Sequence, residues 1–292
     1  MLPRLIILTP SLNQLGYLRR CVASVRDQVV SGVEVRHWVV DGDSADGTQE
    51  WLAAEEVAHV SAPDGGMYEA LNRGLERVVA ESAAGRDTVF AWLNADEQYL
   101  PGTLQRVAES FAARPEVDIL CGGALVVDPD GRLLTYWKSL PLRRCYLRTG
   151  HLYNLSCGLF FRARVLASGI RFDTGWKAVA DWYFVSGLVE QGAVSAVMPE
   201  YLAAYTFSAA NLSHDPGARA EHRSIQGGAS RLHRAGIFGR RLVREAERWW
   251  RGTRRERFPL VYELYTDDLE RRTELRSDRV PARWPGGGGK EI

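Results

Sequence analysis

No apolar run in this 292-residue chain reaches the roughly 20 residues that a bilayer-spanning helix requires. Its opening, Met1-Leu2-Pro3-Arg4-Leu5, leads into a strand pattern without the zones of a secretory signal. Both absences set the expectation of a cytoplasmic protein. Net charge is also lacking: 37 Lys and Arg against 36 Asp and Glu leave +1, so no global basic field exists to hold nucleic acid. Cysteine is scarce. Cys21, Cys121, Cys145 and Cys157 stand far apart, with no C-x-x-C pair and no His at ligand spacing. That argues against a disulfide framework or a thiolate zinc site, and for reduced thiols in or near the core. Phosphate-cradling glycine loops are missing too. The first strand-to-helix turn reads T-P-S-L-N-Q-L-G where a dinucleotide site would carry G-x-G-x-x-G, and no G-x-x-x-x-G-K-[ST] occurs.

What is present is an ordinary globular composition, 46% hydrophobic and 25% charged. The length suits one large α/β domain with an elaborated C-terminal part, or two unequal lobes. Arg4 to Leu8 reads as a strand, and Leu15, Leu18, Val22, Val25 and Val29 recur at helical spacing over Leu15 to Gln28. A second strand spans Glu34 to Val40, a short helix Gln49 to Glu55, and a third strand Val57 to Ser61. The next helix carries Met67, Ala70, Leu71, Leu75 and Val78 on one face, and Thr88 to Leu93 forms the fourth strand. Strands alternating with helices imply a parallel sheet with right-handed crossovers. Each strand then empties into a loop on the same sheet edge, where ligands of open α/β sheets bind. Those loops are Thr9 to Asn13, Asp41 to Asp46, Asp64 to Gly66, and Asn94 to Glu97.

The fourth is the focus, because V-F-A-W-L-N-A-D-E runs from a buried strand straight into the carboxylate pair Asp96 and Glu97. The plain alternative has these acids solvating a turn or capping a helix Pro101 to Ala113 that Pro101 opens. Carboxylates repel a diphosphate unless a divalent cation lies between them, and hard Mg²⁺ or Mn²⁺ takes oxygen ligands while keeping sites for phosphate oxygens. A metal-chelated nucleoside diphosphate suits this edge, with Asp41 free to accept hydrogen bonds from a base or ribose.

Four stretches carry a resemblance: I-I-L-T-P-S-L-N (Ile6 to Asn13), V-V-D-G-D-S-A-D-G-T (Val39 to Thr48), P-D-G-G-M-Y-E-A-L-N-R-G (Pro63 to Gly74) and W-L-N-A-D-E (Trp92 to Glu97). In this order they resemble glycosyltransferase family 2, and within it the branch that builds colanic acid and other bacterial surface polysaccharides. The resemblance implies a GT-A fold: a Rossmann-like, mostly parallel sheet with helices on both faces and a mixed C-terminal acceptor part. It implies transfer of a sugar, with inversion, from a nucleoside-diphosphate-sugar donor to a saccharide, lipid-linked or other hydroxyl acceptor. Thr9, Pro10, Asn13 and Asp41 would serve the base side, and Asp64, Gly66 and Tyr68 would line the nucleotide pocket. Asn94-Ala95-Asp96 would occupy the family's Asp-x-Asp position, with Asp96 on Mn²⁺ or Mg²⁺. Three positions depart from the pattern: Asn94 replaces its first Asp, Glu97 a frequent second Asp, and Leu71 stands where many members have Arg.

Further on, Val117 to Val127 and Leu133 to Lys138 flank the turn Asp128-Pro129-Asp130-Gly131 as a hairpin. Arg143, Arg144 and Arg148 precede a loop, Gly150 to Asn154, placed to approach donor phosphates or an acceptor; its His151 is given no chemical role. A helix from Ala180 to about Gln191 opens with Asp181, which by type is an N-cap and by resemblance the catalytic base of inverting members. Ser208 to His214 resembles the loop that closes over the donor. Between 240 and 257, eight arginines face a stripe of Leu242, Ala246, Trp249 and Trp250. Three readings remain open there: a membrane-interface helix, packing onto the catalytic domain, or a homodimer contact. Pro285 to Ile292 reads as a loose tail. The expected division is 1–115 as the nucleotide-sugar-binding half, 116–236 as the acceptor-side half, and 237–292 as a helical extension with the tail. Two other functions remain in view. One is a sugar nucleotidyltransferase, although Thr9 to Gly16 offers no Gly- and Arg/Lys-rich loop for a triphosphate; the other is a non-catalytic nucleotide-binding protein on the same fold.

Overall fold

The computed structural model describes residues 2–208 and 231–281, apart from Val29 and Ala84, together with Gly217, Ala220, Glu221 and Ser224. Its first half alternates β1 (Arg4–Ser11), α1 (Leu15–Arg26), β2 (Val35–Asp41), α2 (Thr48–Ala54), β3 (His59–Ser61), α3 (Met67–Ser82) and β4 (Thr88–Trp92). The strands pair in parallel in the order β3-β2-β1-β4. β1, at the centre, is covered on both faces, as an uninterrupted apolar run requires. Ile6 and Leu8 join the core beneath α3 with Leu71, Leu75, Phe90 and Trp92. Leu5 and Ile7 point the other way, to Cys21 and Val25 of α1. The α3 crossing over β1 is tight: a Cβ on Gly74 would come within 2.8 Å of Leu8 Cδ1.

The second half extends the same sheet through β5 (Glu97–Tyr99), α4 (Thr103–Ala113), β6 (Ile119–Val127), β7 (Leu133–Trp137), α5 (Arg144–Leu147), β8 (Leu159–Arg162), α6 (Ala180–Glu190) and β9 (Ser195–Thr206). The nine-stranded sheet continues β4-β8-β6-β9-β5, with β7 beside β6. β6 and β9 run with the first four strands, while β5, β7 and β8 oppose them. The mostly parallel sheet with a mixed second half therefore stands, as does the hairpin around Asp128 to Gly131.

Several boundaries move, for physical reasons. The helix expected to open at Pro101 starts at Thr103, behind Gly102 in the left-handed region (φ 70°). The preceding residues are occupied as strand β5, whose partner β9 lies a hundred residues downstream. α1 stops at Arg26, and Gln28 folds under it, its amide reaching Ser24 O (3.0 Å) and Leu100 O (3.2 Å). Cys21, Cys121 and Cys157 are buried, but Cys145 is exposed.

The C-terminal helix, α7 (Arg231–Trp250), begins earlier and ends sooner than the expected 240–257, and it is followed by a hairpin, β10 (Leu260–Leu264) with β11 (Thr273–Ser277). Tyr262 and Leu264 pack with Leu100, Leu125 and Leu133 of the main body. The orientation of α7 reverses the simple amphipathic expectation: its arginine side faces the protein. Arg244 and Arg248 are buried, with guanidinium groups over Tyr153 (5.5 Å) and Trp137 (4.2 Å). His151 explains the rest of the seam, since its Nε2 lies 2.9 Å from Arg244 Nη1. The loop around it is therefore a floor for α7. Among the described residues no helix is long and apolar enough to cross a membrane. Residues 209–216, including His214, and the tail from 282 lie outside the described residues.

Candidate active site

Register aligns the strand ends. Ser11 pairs with Asp41, Asp41 with Ser61, and Leu8 with Trp92, so the four predicted loops leave one edge side by side. They are stitched together by hydrogen bonds. Asn13, at φ 52°, accepts Ala45 N (2.8 Å) on its Oδ1 and donates its own N–H to Ser44 Oγ (2.8 Å). Gly42 N donates to Ser11 O (2.9 Å) and Ala62 N to Asp41 O (3.0 Å). A Cβ on Gly42 would stand 3.0 Å from Asp64 Oδ2, so the second and third loops touch.

Within that frame the individual residues are unequal. Thr9 and Pro10 are buried at the end of β1, with Thr9 Oγ1 2.8 Å from His37 Nε2. Burial pushes the His37 imidazole down to about 3, which keeps it neutral. Asp41, expected free, is fully enclosed, and its oxygens accept Ser44 N (3.1 Å) and Ser44 Oγ (2.5 Å). It braces the second loop. Asp64 accepts Gly66 N (2.9 Å) just before α3, leaving it half-buried at the rim.

The fourth loop separates its two acids. Glu97 turns inward as the first residue of β5, only 1% exposed, and its Oε2 accepts Asn94 N (2.7 Å). Burial, then the Asp96 charge, hold its carboxyl well above the usual carboxylate range. The expected carboxylate pair is thus one half-buried rim residue and one core residue. The Asn94 Oδ1 is left as a buried acceptor with no hydrogen-bond partner. Ala95 is buried and Asp96 half-buried. Among the described residues no three His, Cys, Asp or Glu side chains gather as a metal cage. Asp96 and the orphaned Asn94 Oδ1 are nevertheless hard oxygen donors in a sparse set, which is how Mg²⁺ or Mn²⁺ is held when phosphate oxygens complete its shell.

Asp181 approaches from the second half. It is not an N-cap: Val179 holds that position, and Asp181 sits in the first turn, accepting Trp182 N (2.7 Å). It lies beside the Tyr68 ring, so the start of α6 meets the start of α3. An aromatic block fixes this junction, with Tyr68 on Phe172 (5.6 Å), Phe172 on Phe184 (4.4 Å) and the edge of Trp92 against Phe172 (5.2 Å). Burial pushes the Asp181 carboxyl up to about 6, against the pull of the Trp182 N–H.

Two supporting residues escaped the sequence reading. Glu69 accepts Gly65 N (2.8 Å), while Arg73 grips Ala62 O (3.1 Å), Pro63 O (2.7 Å) and Glu69 Oε1 (2.8 Å), so this pair holds the third loop. Their i,i+4 spacing was the available signal.

A model of glycosyl transferase family 2 matches residues 6–179, and the chain belongs to that family. The match ends two residues before Asp181. An uncharacterized glycosyltransferase of Mycobacterium tuberculosis H37Rv, Rv1514c, is 32% identical over 123 residues, 41% of this chain and 44% of its own length. Another from Nostoc, alr2836, is 26% identical over 225 residues, 71% of this chain and 66% of its own. The chain thus spans less than half of the mycobacterial relative. Among solved structures, S. aureus TarS 1–349 in complex with UDP-GlcNAc is similar at TM-score 0.59 and 16% identity, covering 76% of this chain and 65% of that one. The mannosyltransferase PcManGT from Pyrobaculum calidifontis, in complex with GDP-Man and Mn²⁺, is similar at 0.53 and 16%, covering 82% and 69%. The fold is of the GT-A type that these structures share.

Proposed function

We propose that the chain transfers a sugar, with inversion, from a nucleoside-diphosphate-sugar to a hydroxyl acceptor in the synthesis of a bacterial polysaccharide or glycoconjugate. The observation that carries this reading is the aromatic junction of Tyr68, Phe172 and Phe184, which sets half-buried Asp181, in the first turn of α6, beside the start of α3 at the edge where four strand-end loops meet. Thr9, Pro10, Asn13 and Asp41 shape the base side, Asp41 by holding Ser44 and not by exposure. Asp64, Gly66 and Tyr68 line the nucleotide pocket. Asp96, with Asn94 Oδ1, holds Mg²⁺ or Mn²⁺, which when bound offsets the charge of the departing diphosphate. Asp181 takes the proton of the acceptor hydroxyl as that oxygen attacks the anomeric carbon, and the bond from that carbon to the diphosphate breaks.

The nucleotide complexes of the two structural neighbours and the Mn²⁺ in one of them support the donor class. A thermal-shift screen of UDP, GDP and dTDP with and without Mn²⁺ tests it. A ligand at about 100 times its Kd stabilises by about 2.7 kcal/mol, so one base should raise the melting temperature only when Mn²⁺ is present. No shift from any of the three would discard the donor site proposed here.

A further inference from the structure

The apolar stripe of α7 remains uncovered. Phe238, Leu242, Val243, Trp249 and Trp250 are between 56% and 78% exposed. At about 100° per residue, positions 238, 239, 242, 243, 246, 249 and 250 fill one sector of about 140°. No charged residue interrupts it. The opposite side is clamped by polar contacts, Arg244 to His151, Arg143 to Glu247 (2.9 Å) and Tyr146 Oη to Glu247 (2.6 Å). An amphipathic helix normally folds onto its protein by its apolar side. Here polar contacts dock the helix, and the apolar sector is presented outward as a contiguous patch of the kind that marks an interaction surface.

Charge identifies the occupant. Arg240 and Arg241 border the packed side and make no ion pair among the described residues; Arg255 and Arg257 lie exposed just beyond the helix. Beside Arg240, a pocket of about 610 Å³ opens between α5, α6 and α7, lined by Arg144, Arg148, Trp182, Ser186 and Ile237, with Glu190 as its lining carboxylate. Ser186 Oγ and Arg240 Nη1 are buried there without a hydrogen-bond partner. Such donors, among three guanidinium groups, suit a phosphate. Pairing with a second copy would bring these arginines against their own kind.

We propose that α7 lies in the interface of an anionic phospholipid bilayer, with Phe238, Leu242, Val243, Trp249 and Trp250 facing the acyl chains and the Arg144–Arg148–Arg240 pocket taking a lipid phosphate. Tryptophans and a large apolar side chain near one end of a basic helix fit that depth. This surface is independent of the chemistry assigned to Asp181, since its test reads binding and not turnover.

The test is co-sedimentation of the full chain with vesicles of phosphatidylcholine alone or mixed with phosphatidylglycerol, together with tryptophan emission. Binding to the anionic vesicles should exceed binding to the neutral ones by about tenfold or more and fall as salt rises. Emission should shift to the blue on the anionic vesicles. The double substitution W249E/W250E should abolish binding at an unchanged melting temperature, because both side chains are exposed. R148Q/R240Q should lose most of the preference for the anionic lipid. Equal partitioning of the wild type to both vesicles, or retained binding by W249E/W250E, would overturn the proposal. So would a dimer that W249E/W250E splits in a chain that binds no vesicle, which would assign the face to a second copy.

Discussion

At the scale of single residues, environment separates the acids that the sequence presents alike. Asp41, Asp96, Glu97 and Asp181 all sit near strand or helix ends, yet Asp41 is spent on Ser44 and Glu97 on Asn94. The sequence located these positions because strand-end placement follows from alternation of elements. It could not tell which carboxylate turns inward, since β5 exists only through pairing with β9. For Asp181 the pH dependence follows from burial. Its ionisation costs the folded state, so that cost is absent below the ordinary aspartate range near 4 and is felt in full above about 6. As a base it must be ionised, so kcat/KM should rise with pH through about 6. Asp181→Asn should lower turnover by about 10²–10⁴-fold and erase that limb, with a melting temperature at pH 7.5 equal to or slightly above wild type. Wild-type turnover in the variant would leave Asp181 only its structural contacts. Asp96→Ala should weaken Mn²⁺-dependent nucleotide binding by at least the roughly 10–100-fold that losing a supporting residue costs at metal sites. Calorimetry with and without Mn²⁺ reads it, and unchanged affinity would remove Asp96 from the metal.

At the scale of elements, local periodicity found the helices and strands of the first half within a residue or two, because each buries a regular apolar face; the exception is β1, which runs on past the expected Leu8 to Ser11 because Thr9, Pro10 and Ser11 keep pairing with β2. It was less informative where a long-range partner decides the outcome. α7 shows this most clearly: hydropathy identified two faces, but the cation–π seats of Tyr153 and Trp137, with the polar contacts of Arg244 to His151 and Glu247 to Arg143, determine that the arginine face packs. Close backbone approach is equally hidden from sequence. The turn at Ser156–Gly158 passes so near β6 that a Cβ on Gly158 would come within 2.3 Å of Gly122 O. Backbone cannot step aside as a flexible side chain does. Gly158→Ala should therefore destabilise by about 1–3 kcal/mol or more, the range for overpacking, measured by urea unfolding with an unchanged m-value. Wild-type stability would mean that the turn and β6 can separate without loss.

At the scale of the whole molecule, the four strand-end loops lie within the first hundred residues, yet chain far downstream holds their support in place. Arg272 pairs with Asp27 at the end of α1 and donates to Tyr99 O (2.9 Å), and Tyr265 N donates to Gln98 Oε1 (2.8 Å). The C-terminal hairpin thus braces β5 from outside, directly after the Asn94–Asp96 loop. Sequence composition alone suggested a helical extension and tail, because a two-stranded hairpin far from its packing partners carries little signal of its own. Leu264 is fully buried in this seam against the main body. Leu264→Ala should cost about 2–5 kcal/mol, as transfer and cavity terms add. The Asn94–Asp96 loop is set by its bonds to Glu97 and, just before it, by Leu93 N on Leu8 O of β1, so Mn²⁺-dependent nucleotide affinity, measured well below the variant's melting temperature, should stay within about twofold of wild type. A variant of wild-type stability would detach the hairpin from the body. A large loss of affinity in a folded variant would mean instead that the hairpin, through β5, sets the geometry of the metal-binding loop.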